Sequence, residues 1–313
     1  MLGALKIIAG SSHIKFAQEI CDLMSVKLSD VEVIRFSNEN MLVRILDNVR
    51  EADVFVIQTS CPPVSDNMIE MFLLLDALKH SSAARITSVI PYFPYVRSDK
   101  KDQPRISIAA RLVANLLQTS GSQKFLTMEF HAPQIQGFFD VPVDQLLATD
   151  IICDYFKGKD LSNHVIVAAD VGEAKPLGRF ANRLNLPMAI VDKRRLGNSE
   201  KVVPANLIGD VKGKHALIID DEIASGGTLI NAAEFLKEKG AIGVSAAIVH
   251  PVLSGNAIEK INASSLDELV VTNTIPVCTK AEECPKLKIL SVAPLFAEAI
   301  QRIHNGDSIS VLF

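Results

Sequence analysis

The chain has 313 residues, 48% of them apolar and 22% charged, with 14 prolines and 16 glycines; this length implies about two domains of ~150 residues, and the composition excludes disorder, collagen and coiled coil. A formal charge of −4 gives no general attraction to nucleic acid or anionic lipid, so neither is expected as a partner. The longest apolar runs, such as Met71 to Leu75 and Ala216 to Ile219, fall short of the ~20 residues that span a bilayer, so no membrane helix is expected.

In chain order, Leu5 to Ala9 reads as a first strand and not as a cleaved leader, since Met1 to Gly10 carries one lysine and a short apolar run that ends in Gly-Ser-Ser, without a charged leader or a small-residue cleavage site. Further short runs rich in Val and Ile follow at Val31 to Phe36, Val54 to Ile57, Ile86 to Ile90 and Phe125 to Met128. Between the last two, Ile106 to Gln118 repeats apolar residues at helical spacing, with Ile108, Leu112, Leu116, Val113 and Leu117 marking one face, Pro104 ahead and Gly121 behind. Strand and helix alternate, which is the pattern of a parallel sheet. The second half repeats it, with strands at Val165 to Ala169, Met188 to Val191, Ala216 to Ile219, Val244 to Val249 and Leu269 to Val271, and helices at about Lys175 to Leu184 and Leu229 to Lys239. Two α/β domains are implied, with a boundary near Leu146 to Asp150 that no linker composition marks. The segment after Ser291 is left open between them. Five cysteines (Cys21, Cys61, Cys153, Cys278, Cys284) stand singly without metal-ligand spacing, as reduced thiols of a cytoplasmic protein would.

The most informative stretch is His215 to Leu229. An apolar strand delivers Asp220 and Asp221, and "EIASGGT" then leads into a helix. Ligands of open α/β sheets bind at the carboxyl ends of strands. Gly226 and Gly227 let backbone N–H groups converge on an anion, the helix start adds a positive dipole, and the Ser225 and Thr228 hydroxyls can donate to phosphate oxygens. Adjacent carboxylates beside a phosphate make sense if they accept from vicinal sugar hydroxyls or hold a divalent ion. A phosphorylated pentose fits both halves, against the competing explanation of a strand ending in solvated acids with a helix cap at Ser225. No Gly-Lys-Ser/Thr follows a strand, which disfavours a P-loop.

Three further patches follow other strands. In Tyr92 to Arg105, Arg97, Lys100 and Lys101 surround Asp99 and suit polyphosphate, with Tyr92, Phe93 and Tyr95 placed to face a base; a solvated charged loop is the alternative. His131 lies just beyond a strand, as a ligand or as an ordinary satisfied histidine. Lys193, Arg194 and Arg195 form a cationic loop suited to transferring phosphoryl charge, or else a solvated turn.

The motifs "HAPQIQGFFD", "DKRR", "DDEIASGGT", "HPVLSG" and "ELVVTN" resemble the ribose-phosphate diphosphokinase (phosphoribosyl diphosphate synthetase) family, with a match running from about Leu5 to Phe313. The resemblance implies an α/β fold of two type I phosphoribosyltransferase-like domains, each a mostly parallel sheet flanked by helices. Residues 1–147 would form the ATP side with oligomer contacts, and 148–313 the ribose 5-phosphate side. It also implies a hexamer built of dimers, Mg2+ as cofactor, and transfer of the diphosphoryl group of ATP to O1 of ribose 5-phosphate.

Carried over by position, the resemblance implies that Asp220 and Asp221 hold ribose hydroxyls and that Ser225, Gly226, Gly227 and Thr228 form the 5-phosphate loop. His131 matches the histidine of the metal and the ATP phosphates, and Asp170 the second metal carboxylate. Arg97, Asp99 and Lys100 fall on the ATP side, as do Phe36, from a neighbouring subunit, and Asn38 and Asn40. Lys193 and Arg195 match cations that stabilise the transition state. Departures from the family pattern are Asn38 and Asn40 where acids are usual, Val171 and Glu173 in the diphosphate loop after Asp170, Ala224 in place of a third ribose-loop acid, and Gln103 and Pro104 where an Arg and a Ser hold a regulatory anion, with Arg105, Ser308 and Ser310 left as candidate contacts for it. Two other readings compete: a silent regulatory homologue, supported by Val171 and Glu173, and a phosphoribosyltransferase acting on a base, which leaves the N-terminal half unexplained.

Overall fold

Uninterrupted runs such as "DVFVI" and "VIVA" suit strands covered on both faces, because parallel strands carry helices above and below and have no solvent side. The computed structural model describes residues 3–170, 174–195, 202–277 and 284–312, with the backbone alone at 174–175, 193–195 and 202–205. It divides into two compact units: Met1–Leu147 with Thr274–Pro276 and Ser291–Phe313, and Ala148–Asn273 with Val277–Leu290.

The first unit is built on β1 (Leu5–Ala9), β2 (Leu28–Ser29), β5 (Asp53–Ile57), β6 (Arg85–Ile90), β7 (Lys124–Met128) and β8 (Val143–Leu146). They lie in the order β2-β1-β5-β6-β7-β8 with every pairing parallel. All five residues of β5 are buried, as a central strand requires. The run at Val31 to Phe36 is not part of this sheet. It forms β3 (Val31–Arg35), paired antiparallel with β4 (Met41–Ile45) in a separate hairpin, and Val31, Val43 and Ile45 pack on the core.

The helices of this unit are α1 (Ile14–Met24), α2 (Val64–His80), α3 (Ala109–Ser120) and α8 (Ala293–Asn305). The face expected for α3 is corrected by the structure. The helix starts at Ala109, its buried stripe is Ala110, Val113, Ala114 and Leu117, and Leu112 and Leu116 are 52% and 41% exposed. The stripe follows i, i+3, i+4, i+7, and small alanines let it sit close against its neighbours. Helix α8 joins this unit because its apolar face needs α1: Phe296 meets Phe16 edge-on at 5.4 Å, and both rings are fully buried.

The second unit is a sheet in the order β11-β10-β9-β12-β13-β14-β15. Its strands are β9 (His164–Ala168), β10 (Met188–Arg195), β11 (Val202–Ile208), β12 (His215–Ile223), β13 (Gly243–Pro251), β14 (Glu268–Thr272) and β15 (Leu287–Leu290). Among the described residues of this sheet, only the β10–β11 pairing is antiparallel. Helices α4 (Thr149–Lys157), α5 (Ala174–Leu184), α6 (Gly227–Glu238) and α7 (Ala257–Ala263) accompany it. One apolar cluster fills it, including Val167, Ile218, Leu236, Ile248 and Val271.

Four of the cysteines, Cys21, Cys61, Cys153 and Cys284, are free and buried; Cys278 lies outside the described residues. Burial pushes the Cys21 and Cys153 thiols up to about 11, so both are protonated and unreactive at neutral pH. No helix is long and apolar enough to cross a membrane among the described residues.

Candidate functional site

The second unit places its acids at the far end of β12, where the burial pattern changes from a run of four buried residues to half-buried Asp220 and Asp221 and then buried Glu222 and Ile223. Asp220 Oδ1 accepts the Asp221 N–H at 2.8 Å. The neighbouring strand β9 runs parallel with Ala168 beside Ile219, so Asp170, two residues past Ala168, reaches the same sheet edge as the two acids. Asp170 is half-buried. Val171 and Glu173 lie outside the described residues.

Beyond the acids the chain turns into α6. Gly226 is the residue before the helix, with φ +77 in the left-handed region, which a glycine adopts without the strain a Cβ would bring. No side chain caps the helix and its first turn holds no acid, so its leading N–H groups and the positive end of its dipole face outward. Ser225 and Thr228 are exposed on either side of the glycines. The loop is held from behind: Leu253 N–H donates to the Ile223 carbonyl and Ser254 N–H to the Ala224 carbonyl, both at 3.0 Å. Ala224 thus holds this loop through its backbone carbonyl. These braces, in "HPVLSG", carry no periodic signal in the sequence. Glu222 is 6% exposed and sits beside His250, 1% exposed, in the β12–β13 register.

Lys193 and Arg195 do not lie on a loop. Strand β10 runs on past Val191 to Arg195, pairing Lys193 with Pro204 and Arg195 with Val202 of β11 across a register shift at Asp192/Lys193. The apolar pattern hides this, because the extension has no parallel neighbour to bury it and carries charges instead. Their backbone is described and their side chains are not.

The first unit places the other set. Arg97, Asp99 and Lys100 follow β6, and His131 follows β7, its parallel neighbour. Arg97, Lys100 and His131 are exposed. Asp99 is not: it is 8% exposed and accepts from Gln134 Nε2 at 2.7 Å, which ties this loop to the 3-10 helix Pro133–Phe138 after His131. Gln134 was hidden in a motif whose histidine attracts attention. Of the aromatics expected to face a base, Phe93 is instead core, 2% exposed and edge-on to Phe130 and Phe139 at 5.7 and 5.5 Å.

Phe36 stands at the tip of the β3–β4 hairpin and is 48% exposed. Its N–H donates to the Asn40 carbonyl at 2.8 Å, and Asn38 Oδ1 accepts the Asn40 N–H at 3.2 Å, so the Asn38 oxygen is engaged in shaping the turn. Gln103, Pro104 and Arg105 are all exposed, and Arg105 has φ +66. Ser308 and Ser310 are exposed too, with Ser308 Oγ accepting the Ser310 N–H at 3.2 Å.

Both halves of the chain are similar to known proteins. The family model described as the N-terminal domain of ribose phosphate pyrophosphokinase matches residues 5–121, and the phosphoribosyl synthetase-associated domain matches residues 195–313. The ribose-phosphate pyrophosphokinase of Wolinella succinogenes is 47% identical over 309 residues, covering 98% of each chain. That of Caldanaerobacter subterraneus subsp. tengcongensis is 48% identical over 312 residues, covering 99% of this chain and 98% of the relative. The crystal structure of phosphoribosylpyrophosphate synthetase from Mycobacterium smegmatis superposes with a TM-score of 0.91 at 34% identity, covering 97% of this chain and all of that one. With both halves matched by the family's models and relatives aligned over nearly the full length, the chain belongs to the ribose-phosphate pyrophosphokinase family.

Proposed function

We propose that the chain transfers the diphosphoryl group of Mg-ATP to O1 of ribose 5-phosphate, giving phosphoribosyl diphosphate and AMP. The observation that carries this reading is the β12–α6 junction, where two acids precede an uncapped helix start with Gly226 in the left-handed region. That order of groups suits a sugar phosphate: Asp220 and Asp221 accept from the ribose hydroxyls, while Ser225, Gly226, Gly227 and Thr228 hold the 5-phosphate.

In the first unit, Arg97, Lys100 and His131 bind ATP and Asp99 orders their loop through Gln134. Phe36, Asn38 and Asn40 meet adenine bound by a neighbouring subunit of a cytoplasmic homo-oligomer, a hexamer of dimers; the exposed Phe36 ring supports this role. O1 attacks the β-phosphorus and releases its hydroxyl proton to solvent, the bond from that phosphorus to the oxygen bridging to the α-phosphate breaks, and AMP leaves with that oxygen. Lys193 and Arg195 neutralise the charge that grows on the transferred group, a positioned-charge contribution of the kind that dominates phosphoryl transfer.

The donor set fits magnesium. Among the described residues no group of three or more His, Cys, Asp or Glu gathers, and Mg2+ takes one or two protein ligands and fills its octahedron with water and phosphate oxygens. Asp170 offers a hard oxygen and His131 an imidazole serving the metal and the ATP phosphates. The ion, when bound, neutralises phosphate oxygens. The test is AMP release from ATP with and without ribose 5-phosphate. AMP that appears only with the sugar is the expected result, and no sugar-dependent AMP at any magnesium concentration would refute the assignment.

A further inference from the structure

The two units share a strand plan. Each sheet grows outward from one strand and then reverses past it: from β1 to β2 and back to β5, and from β9 to β10 and back to β12. In open α/β sheets the crevice beyond the strand ends at this reversal is where ligands bind. In the second unit that place is the cradle at Asp220 to Thr228. In the first unit the same place, beyond the ends of β1 and β5, opens into a cavity of about 370 Å³ lined by none of the proposed ATP residues.

The chemistry of this crevice is not that of a phosphate cradle. Where α6 is led by two glycines, α2 is led by Pro62 and Pro63, which have no N–H to give an anion. Asp66 stands in the first turn of α2 and Glu70 one turn later. Glu70 is 1% exposed, and it uses up the donors at the end of β1: Ser11 N–H reaches Glu70 Oε1 at 2.6 Å and the Ser11 hydroxyl donates to the other oxygen. A phosphate placed here would meet two carboxylates.

What the crevice offers is an edge and walls. Arg35 Nη2 donates to Asp66 Oδ2 at 2.6 Å, which leaves a guanidinium N–H beside a carboxylate oxygen, a donor next to an acceptor, on two half-exposed side chains. Val33, Met41 and the two prolines give apolar surface next to this edge. Such an arrangement complements a heterocyclic base, whose carbonyl or ring nitrogen accepts from arginine while its N–H donates to the carboxylate. Ser11 is exposed and lines the same crevice, and its hydroxyl oxygen, having donated its proton to Glu70, can still accept from a sugar hydroxyl.

From these observations we infer that the crevice beyond β1 and β5 is a second ligand site, specific for a nucleoside that carries no phosphate. The volume lies within the range of small-molecule sites, ~300 to 1,000 Å³. The inference is independent of the reaction proposed above, because it concerns binding alone and residues outside that machinery.

The experiment is calorimetric titration of the full chain with guanosine and with adenosine, with ribose 5-phosphate and a non-hydrolysable ATP analogue present at saturation to fill the other sites. One nucleoside is expected to bind per chain. The matching 5′-monophosphate should bind at least tenfold more weakly, and Arg35→Ala and Asp66→Ala should each weaken nucleoside binding tenfold or more. Val33→Trp, at a position 38% exposed, fills the crevice without removing a polar group; it should abolish binding while the melting temperature stays near wild type. The inference is overturned if no nucleoside saturates, if binding survives Val33→Trp, or if the monophosphate binds as tightly as the nucleoside.

Discussion

Gly226 and Gly227 are adjacent, yet the structure gives them different reasons to be glycine, and replacing each by alanine separates backbone from space. Gly226 has φ +77, and a Cβ there would meet nothing closer than Ile230 Cδ1 at 3.7 Å. The cost of Gly226→Ala is therefore conformational. A left-handed alanine costs ~1 to 2 kcal/mol, offset by ~0.4 to 1 kcal/mol from the stiffer unfolded chain, a net loss of at most about 1.6 kcal/mol. If the loop rotates to relieve the strain, charge-assisted N–H contacts worth ~1.5 to 3 kcal/mol are lost from the 5-phosphate, raising the KM for ribose 5-phosphate by about 10- to 150-fold. At Gly227 the nearest atom to a new Cβ is Ser225 Oγ at 3.9 Å, and the residue opens the helix, where alanine is favoured. Gly227→Ala should leave stability within ~0.5 kcal/mol and act, if the cradle is where the phosphate sits, by crowding it. Denaturant melts report the first quantity and initial-rate KM values for both substrates the second. The reasoning fails if Gly226→Ala leaves both stability and the KM for ribose 5-phosphate unchanged, or if the KM for ATP moves instead.

Lys193→Ala or Arg195→Ala should lower kcat by about 10² to 10⁴ with little change in either KM; a variant with near-normal kcat would remove that residue from the mechanism. Asp220→Asn combined with Asp221→Asn should weaken ribose 5-phosphate binding by calorimetry while ATP binding holds, since each lost charge-assisted acceptor is worth ~1.5 to 3 kcal/mol. Burial, aided by the stacked His215 ring at 5.0 Å, holds the His164 imidazole below its ordinary value of 6.5. The unfolded chain therefore binds the extra proton first: His164 leaves stability intact above pH ~6.5 and erodes it as pH falls further, so His164→Gln should flatten the acid limb of the stability profile, and an unaltered limb would count against the pairing. Gln103 and Pro104 supply neither a charge nor, at the proline, an N–H. Activity should therefore persist in phosphate-free buffer with ADP purely competitive against ATP, and a strict need for millimolar phosphate would refute this.

What the sequence made legible follows from which residues advertise themselves. The central strands β5, β9, β12 and β13 were readable because burial on both faces demands unbroken Val and Ile. The edge strands β2 and β8 were not, since two residues at Leu28–Ser29 and the mixed "VDQL" of β8 carry no such pattern. The β3–β4 hairpin was half seen for the same reason: β4, "MLVRI", alternates between half-buried and exposed positions, the signature of a strand with one wet face. Leu112 and Leu116 misled the reading of α3, because leucine at helical spacing signals a buried stripe whether or not anything covers it. At the site, glycines, paired acids and clustered cations were conspicuous by residue type. The carbonyl braces from Leu253 and Ser254 were not, because a backbone hydrogen bond leaves no trace in side-chain identity.

The return of the chain to the first unit at Ser291 has a polar reason as well as an apolar one. Asp53 begins the central strand β5 and is 0% exposed, which would be costly for an unaccompanied carboxylate. Arg85, at the start of the adjacent β6, reaches it with Nε at 2.7 Å and Nη2 at 2.6 Å. The same Nη2 also donates to the Ile303 carbonyl at 2.9 Å, and His304 Nδ1 lies 2.7 Å from Asp53 Oδ2. Ile303 and His304 belong to α8, so a carboxylate fixed early in the chain is satisfied partly by residues some 250 positions later. Ser291 Oγ, donating to Glu19 at 2.6 Å, sets the entry of that segment. Each unit packs its first βαβ helix against a helix from outside its own run of strands, α1 against α8 and α5 against α4. An apolar stripe alone, as on Phe296, Ile300 and Ile303, says that α8 must be covered; the Asp53–Arg85–His304 cluster says by which surface, because a buried ion network left half satisfied costs more than a misplaced apolar contact.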